Sequence, residues 1–350
     1  MKEETLQHLK DLQAKHRLAA HIWEGNTLAD AGRGIRIPQE DSLKYLQDMS
    51  SVYTYLGRGK PPTTLSMTLL APEDAHRGTK LYMVADNETG RFGYLFDVSQ
   101  TGQHHPIITE IADRDLYTDF DATKKRPKMP YIIRALYEND RSFNLPEEAN
   151  TLFYEMLAGE EGAQHTERML DELGSTLKER SDHVVNRAAA DNEILVAAGK
   201  EHIQAIVVPA HDNPLSLSPV QTEQSQADIL QLQGALVGLK HVNAGMDFPV
   251  MLYCSKGERK GQIIPIGQGK EELRSKALEA IKSLQGDAPQ MINRYFGRDG
   301  GSDWIGKGTL EEAAELLHID VTKPIDAQTQ WRDATAGPRG GGWAIGEKSQ

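Results

Sequence analysis

Cysteine occurs once in this 350-residue chain, at Cys254. A lone thiol excludes an internal disulfide framework and any zinc site built from several thiolates, and it fits a reducing compartment. Long apolar runs are also missing. Nothing approaches the roughly 18 residues that a membrane-spanning helix needs. The amino-terminal stretch MKEETLQHLKDLQAKH is charged and polar in character, without the apolar centre of a secretory signal. Basic charge is in deficit: 39 Lys and Arg stand against 51 Asp and Glu, a formal net charge of −12. That balance argues against nucleic acid as a partner, because phosphate backbones demand clustered cations. The expected location is the cytoplasm, or outside the cell by a route that needs no signal peptide.

What is present fits a folded protein. Apolar residues make up 39% and charged residues 26% of the chain, the proportions of a globular protein. The length suits two ordinary domains or one large one. Residues 2–24 predict an amphipathic helix, with Leu6, Leu9, Leu18 and Ile22 near helical spacing. Between 63 and 110 the period becomes two, and two β runs flank Asn87-Glu88-Thr89-Gly90, the signature of an antiparallel β unit. Helices are predicted at 146–158 and 165–199. Gly159-Glu160-Glu161-Gly162 reads as a linker. In the second half, strands at 203–209, 248–254 and 262–266 are interleaved with helical runs at 225–243 and 271–284, which predicts a mixed sheet with parallel pairs and packed helices. The fold class is therefore α/β or α+β. Its expected division is 1–160, 161–334 and a flexible glycine-rich tail at 335–350.

Chemistry is suggested first by Tyr253-Cys254-Ser255-Lys256-Gly257-Glu258-Arg259-Lys260-Gly261. A buried strand delivers a cysteine into a loop of small and basic residues, an arrangement suited to thiolate attack with nearby cations holding an anion. The run resembles the loop of cysteine-dependent phosphatases, which carry Cys, five residues and Arg. The resemblance implies a nucleophile at Cys254, an anion-holding arginine at Arg259, and an acid on an earlier loop, where this chain has His211-Asp212-Asn213-Pro214. The chain departs from that pattern by placing Arg259 after four intervening residues and by continuing into an extended segment where a helix would follow. Two other readings stand beside it. One is a plain β-hairpin with SKGERKG as its turn. The other is a cysteine hydrolase of different geometry, with His318 and Asp320 or Gln330 as partners.

A second candidate is the strand-to-helix run through Gly267, Gln268, Gly269 and Lys270. Backbone N–H groups at a helix start can hold a phosphate or carboxylate, although an ordinary strand-to-helix connection is the simpler reading, since Glu271 and Glu272 in the first turn already satisfy the dipole. A third is the acidic stretch of Asp113, Asp115, Asp119 and Asp121, whose paired carboxylates can chelate Mg²⁺. A solvated acidic loop is the simpler account of it. His104 and His105 read as surface residues. The functional expectations are three: a cysteine-dependent hydrolase of a phosphorylated or acyl substrate, a non-catalytic interaction protein of the bacterial-effector kind, and a metal-dependent nucleotide-handling enzyme. Each implies its own partner: an anionic small molecule, a protein, or a nucleotide with its metal.

Overall fold

A computed structural model describes residues 3–23, 40–58, 64–70, 92–111, 147–182, 193–210, 223–254, 259, 261–284 and 316–317. In chain order the elements are α1 (Glu3–Ala14), β1 (Leu18–Trp23), α2 (Glu40–Asp48), α3 (Val52–Arg58), β2 (Thr64–Leu69), β3 (Phe92–Asp97) and β4 (Ile107–Ile111). Then follow α4 (Glu147–Ala158), α5 (Glu160–Asp182), β5 (Glu193–Ala197), β6 (Ile203–Ala210), α6 (Glu223–Asn243), β7 (Val250–Cys254), β8 (Ile263–Gly267) and α7 (Lys270–Leu284). The eight strands form one sheet in the order β4-β5-β2-β1-β3-β6-β7-β8. Only β6 and β7 run parallel; the other neighbours are antiparallel. This is the mixed α/β class that the sequence predicts.

The expected boundary near residue 160 does not divide the sheet. β5 pairs with β2 and β4, and β6 pairs with β3, so segments on both sides of 160 share one ladder. Gly159 is a joint between α4 and α5 rather than part of a linker, since α5 begins at Glu160. The helix predicted at 165–199 is described as far as Asp182, and within the predicted span the apolar run Glu193–Ala197 is a strand. Of the predicted hairpin, the arm at 80–86 and its turn lie outside the described residues. β2 and β3 themselves do not pair, because β1 lies between them.

The first helix is also shorter than its spacing predicts. It ends in a Schellman turn: the His16 N–H donates to Gln13 O at 3.0 Å and the Arg17 N–H to Leu12 O at 2.7 Å. His16 takes the left-handed φ of 55° that this motif requires and that glycine usually supplies. Beyond it the apolar period switches to two. Leu18, Ala20 and Ile22 join Leu9 and Leu12 on one face of the sheet, while Ala19 joins the cluster on the other. Leu18 and Ile22 thus pack beside α1 without belonging to it.

The opposite face carries the larger core, in which Leu230, Leu236 and Leu239 of α6 and Leu273 and Leu278 of α7 cover Ile206, Val208, Val250 and Ile266. α6 lies close to that surface because of Gly234 and Gly238. A Cβ at Gly234 would collide with Ile266 Cδ1, and one at Gly238 would lie 2.7 Å from both Leu273 Cδ1 and Val250 Cγ2. A third cluster joins Tyr55 of α3 and Tyr154 and Leu157 of α4 to Ile107 and Ala197.

Tyr253 sits on the α1 side, fully buried among Leu9, Leu12, Met251 and Ile263, and its hydroxyl meets no hydrogen-bond partner among the described residues. Stripping water from a hydroxyl without replacing its bond is unfavourable by about 1–3 kcal/mol. Tyr253→Phe is therefore expected to leave stability unchanged or raise it by about 1 kcal/mol in urea unfolding. A loss above roughly 1 kcal/mol would show that the hydroxyl is satisfied.

Candidate functional site

β6 and β7 are neighbours that run the same way, joined through α6, so both finish at the same end of the sheet. Their register pairs Ala210 with Cys254. The last residues of these two strands therefore stand side by side at one end of the sheet. In open sheets with parallel strands, the crevice beyond the carboxyl ends of those strands is the usual ligand position. His211, Asp212, Lys256, Gly257 and Lys260 all fall in these two connections and lie outside the described residues.

Cys254 is described in full. Its residue is 0% exposed and belongs to the core cluster on the α6–α7 face. Its backbone continues the ladder into the next strand: the Cys254 N–H donates to Gln262 O at 3.0 Å, and the Gly261 N–H donates to Cys254 O at 2.7 Å. β7 and β8 are thus directly paired and antiparallel, and the Cys254–Gly261 connection is the turn of a hairpin. Gly261 has a φ of +85°, and the Gln262 N–H reaches Arg259 O at 3.0 Å, so the chain reverses tightly after an exposed Arg259. The extended segment after the loop, which departs from the phosphatase pattern, is β8. Thiolate attack needs a sulfur that a substrate can reach, and full burial withholds it.

The second candidate also has its predicted secondary structure, with β8 leading through Gly267 and Gly269 to Lys270 at the start of α7. Gly269 has a φ of +78°. The loop's N–H groups, however, already have anionic acceptors within the chain. Gly269 N donates to Asp247 Oδ1 at 3.0 Å, and Gln268 N donates to Glu272 Oε2 at 3.2 Å. Two carboxylates of the protein occupy positions that an external anion would take, and they complement the positive end of the helix dipole.

No family model matches this chain, and no curated protein or solved structure matches it. Asp113, Asp115, Asp119 and Asp121, which would hold Mg²⁺ in the metal-dependent reading, lie outside the described residues, as do His318, Asp320 and Gln330. Among the described residues no group of three His, Cys, Asp or Glu side chains is placed to hold a metal ion, and no helix is long and apolar enough to cross a membrane.

Histidines depart most from the sequence reading. His104 is exposed, but His105 beside it is buried, with Nδ1 3.1 Å from Gly102 O and Tyr53 packed nearby. His202, in a 3₁₀ turn at Lys200–His202, accepts the Gly199 N–H at Nδ1 and lies 2.9 Å from His104 O through Nε2. His241 is fully buried near the end of α6, 2.8 Å from the Tyr94 hydroxyl and within ring contact of Phe92. Their burial follows from neighbours that come together only on folding.

Proposed function

We propose that this chain is a binding protein, engaging an anionic ligand or a partner protein at the carboxyl ends of β6 and β7, and that Cys254 serves the core rather than a reaction. The observation that carries this reading is the complete burial of Cys254 at the base of a directly laddered hairpin. Support for the location is the adjacency of the last residues of β6 and β7, Ala210 and Cys254, the second of which is followed in the sequence by Lys256, Arg259 and Lys260. In a chain of net charge −12, such a group of cations is a local exception, suited to a phosphate or a carboxylate-bearing surface.

Two measurements test it. Iodoacetamide at neutral pH is expected to label Cys254 about 100-fold more slowly in the native protein than in urea, because reaction must wait for local opening. Native labelling as fast as that of the unfolded chain would restore the cysteine-hydrolase reading and overturn this one. Inorganic phosphate is then titrated against the wild type and a Lys256→Gln/Arg259→Gln/Lys260→Gln variant. Phosphate is expected to raise the thermal midpoint of the wild type alone, by ligand linkage to the folded state. Equal midpoints in both proteins across the titration would remove the anion from the proposal.

A further inference from the structure

We draw no further inference here: the strongest candidate, the buried histidine cluster of His105 and His202 beside Tyr53 at the start of β4, leaves His105 Nε2 without a hydrogen-bond partner among the described residues, but it belongs to no group of three His, Cys, Asp or Glu side chains there that would say what it holds.

Discussion

Arg17→Met should destabilise the fold by about 3 kcal/mol, seen in urea unfolding as a lower midpoint with an unchanged slope. Arg17 is 7% exposed and stands between the Schellman turn of α1 and the side of α5. Its Nε donates to Glu167 Oε2 at 2.8 Å, and Nη2 donates to the same oxygen and to Asp171 Oδ1 at 2.6 Å. Nη1 reaches back to Lys15 O at 2.9 Å and His16 O at 3.3 Å, so one guanidinium holds the left-handed turn and docks a helix on it. The contributions are unequal. The Asp171 side chain is 70% exposed, and an ion pair that wet contributes about 0–1 kcal/mol. The Glu167 side chain is 27% exposed and also accepts the Gln100 N–H at 2.7 Å, so it is tied to the chain leaving β3 as well as to Arg17. Methionine retains much of the buried stem but leaves this carboxylate and two turn carbonyls short of donors. A cycle with Glu167→Gln isolates the pair: the two single losses should exceed the double-variant loss by at least about 1 kcal/mol. A single loss under about 0.5 kcal/mol would mean that water replaces the guanidinium without penalty.

The same corner shows why part of the fold was legible in the sequence and part was not. Strands β6, β7 and β8 and helices α6 and α7 lie close to their predicted positions, because each is an apolar or amphipathic run with glycine or charge at its ends. The predicted amino-terminal helix is longer than α1 because Leu18 and Ile22 satisfy a helical period and a strand period equally well. The feature that separates the two is a helix end capped by His16 where glycine is the usual signal. The run at 193–197 falls within the preceding predicted helix for a related reason: five residues are too few for periodicity to decide between the two states. Its pairing with β2 and β4 decides it. That pairing also joins segments from both sides of residue 160 in one sheet, which composition near 160 does not show.

Candidate sites were legible as loops and not as chemistry. The sequence places Cys254 at the end of an apolar strand followed by basic residues, and both statements hold. Whether the next extended segment ladders onto that strand is a tertiary fact, and it decides whether the sulfur faces a crevice or the core. Likewise the glycines at 267 and 269 open a helix as expected, while Asp247, some twenty residues earlier in the chain, supplies the acceptor for Gly269 N. Only the fold reveals that the cradle is filled from within. Arg17, His202 and His241, buried polar groups of the described core, depend on partners 98 to 154 residues away wherever a side chain joins distant segments. Such separations leave no local mark.

Acid should expose the last of these groups. His241 is 0% exposed, and its Nδ1 lies 2.7 Å from Val237 O. A carbonyl can only accept, so Nδ1 carries the proton, and in the neutral ring Nε2 accepts the Tyr94 O–H at 2.8 Å. Burial penalises the imidazolium and lowers the His241 pKa from 6.5 to about 4, although its bond to Val237 acts in the opposite direction. The unfolded chain has no such penalty and takes up a proton near the ordinary value. The unfolded state therefore binds more protons between about pH 6.5 and 4, and stability falls as pH drops through that window. Above it the contribution is fully present. One proton corresponds to about 1.4 kcal/mol per pH unit, or on the order of 3 kcal/mol over the whole interval. The comparison that isolates it uses Tyr94→Phe with His241→Leu, which removes both polar partners and leaves no orphaned hydroxyl. This double variant should be less stable than the wild type at pH 7, but its unfolding free energy should fall less steeply between pH 6 and 4.5, by about one proton's slope. Carboxylates and the other histidines contribute to both proteins alike and cancel in the difference. Superimposable slopes would show that His241 either stays charged in the folded protein or reaches solvent as readily as in the unfolded chain.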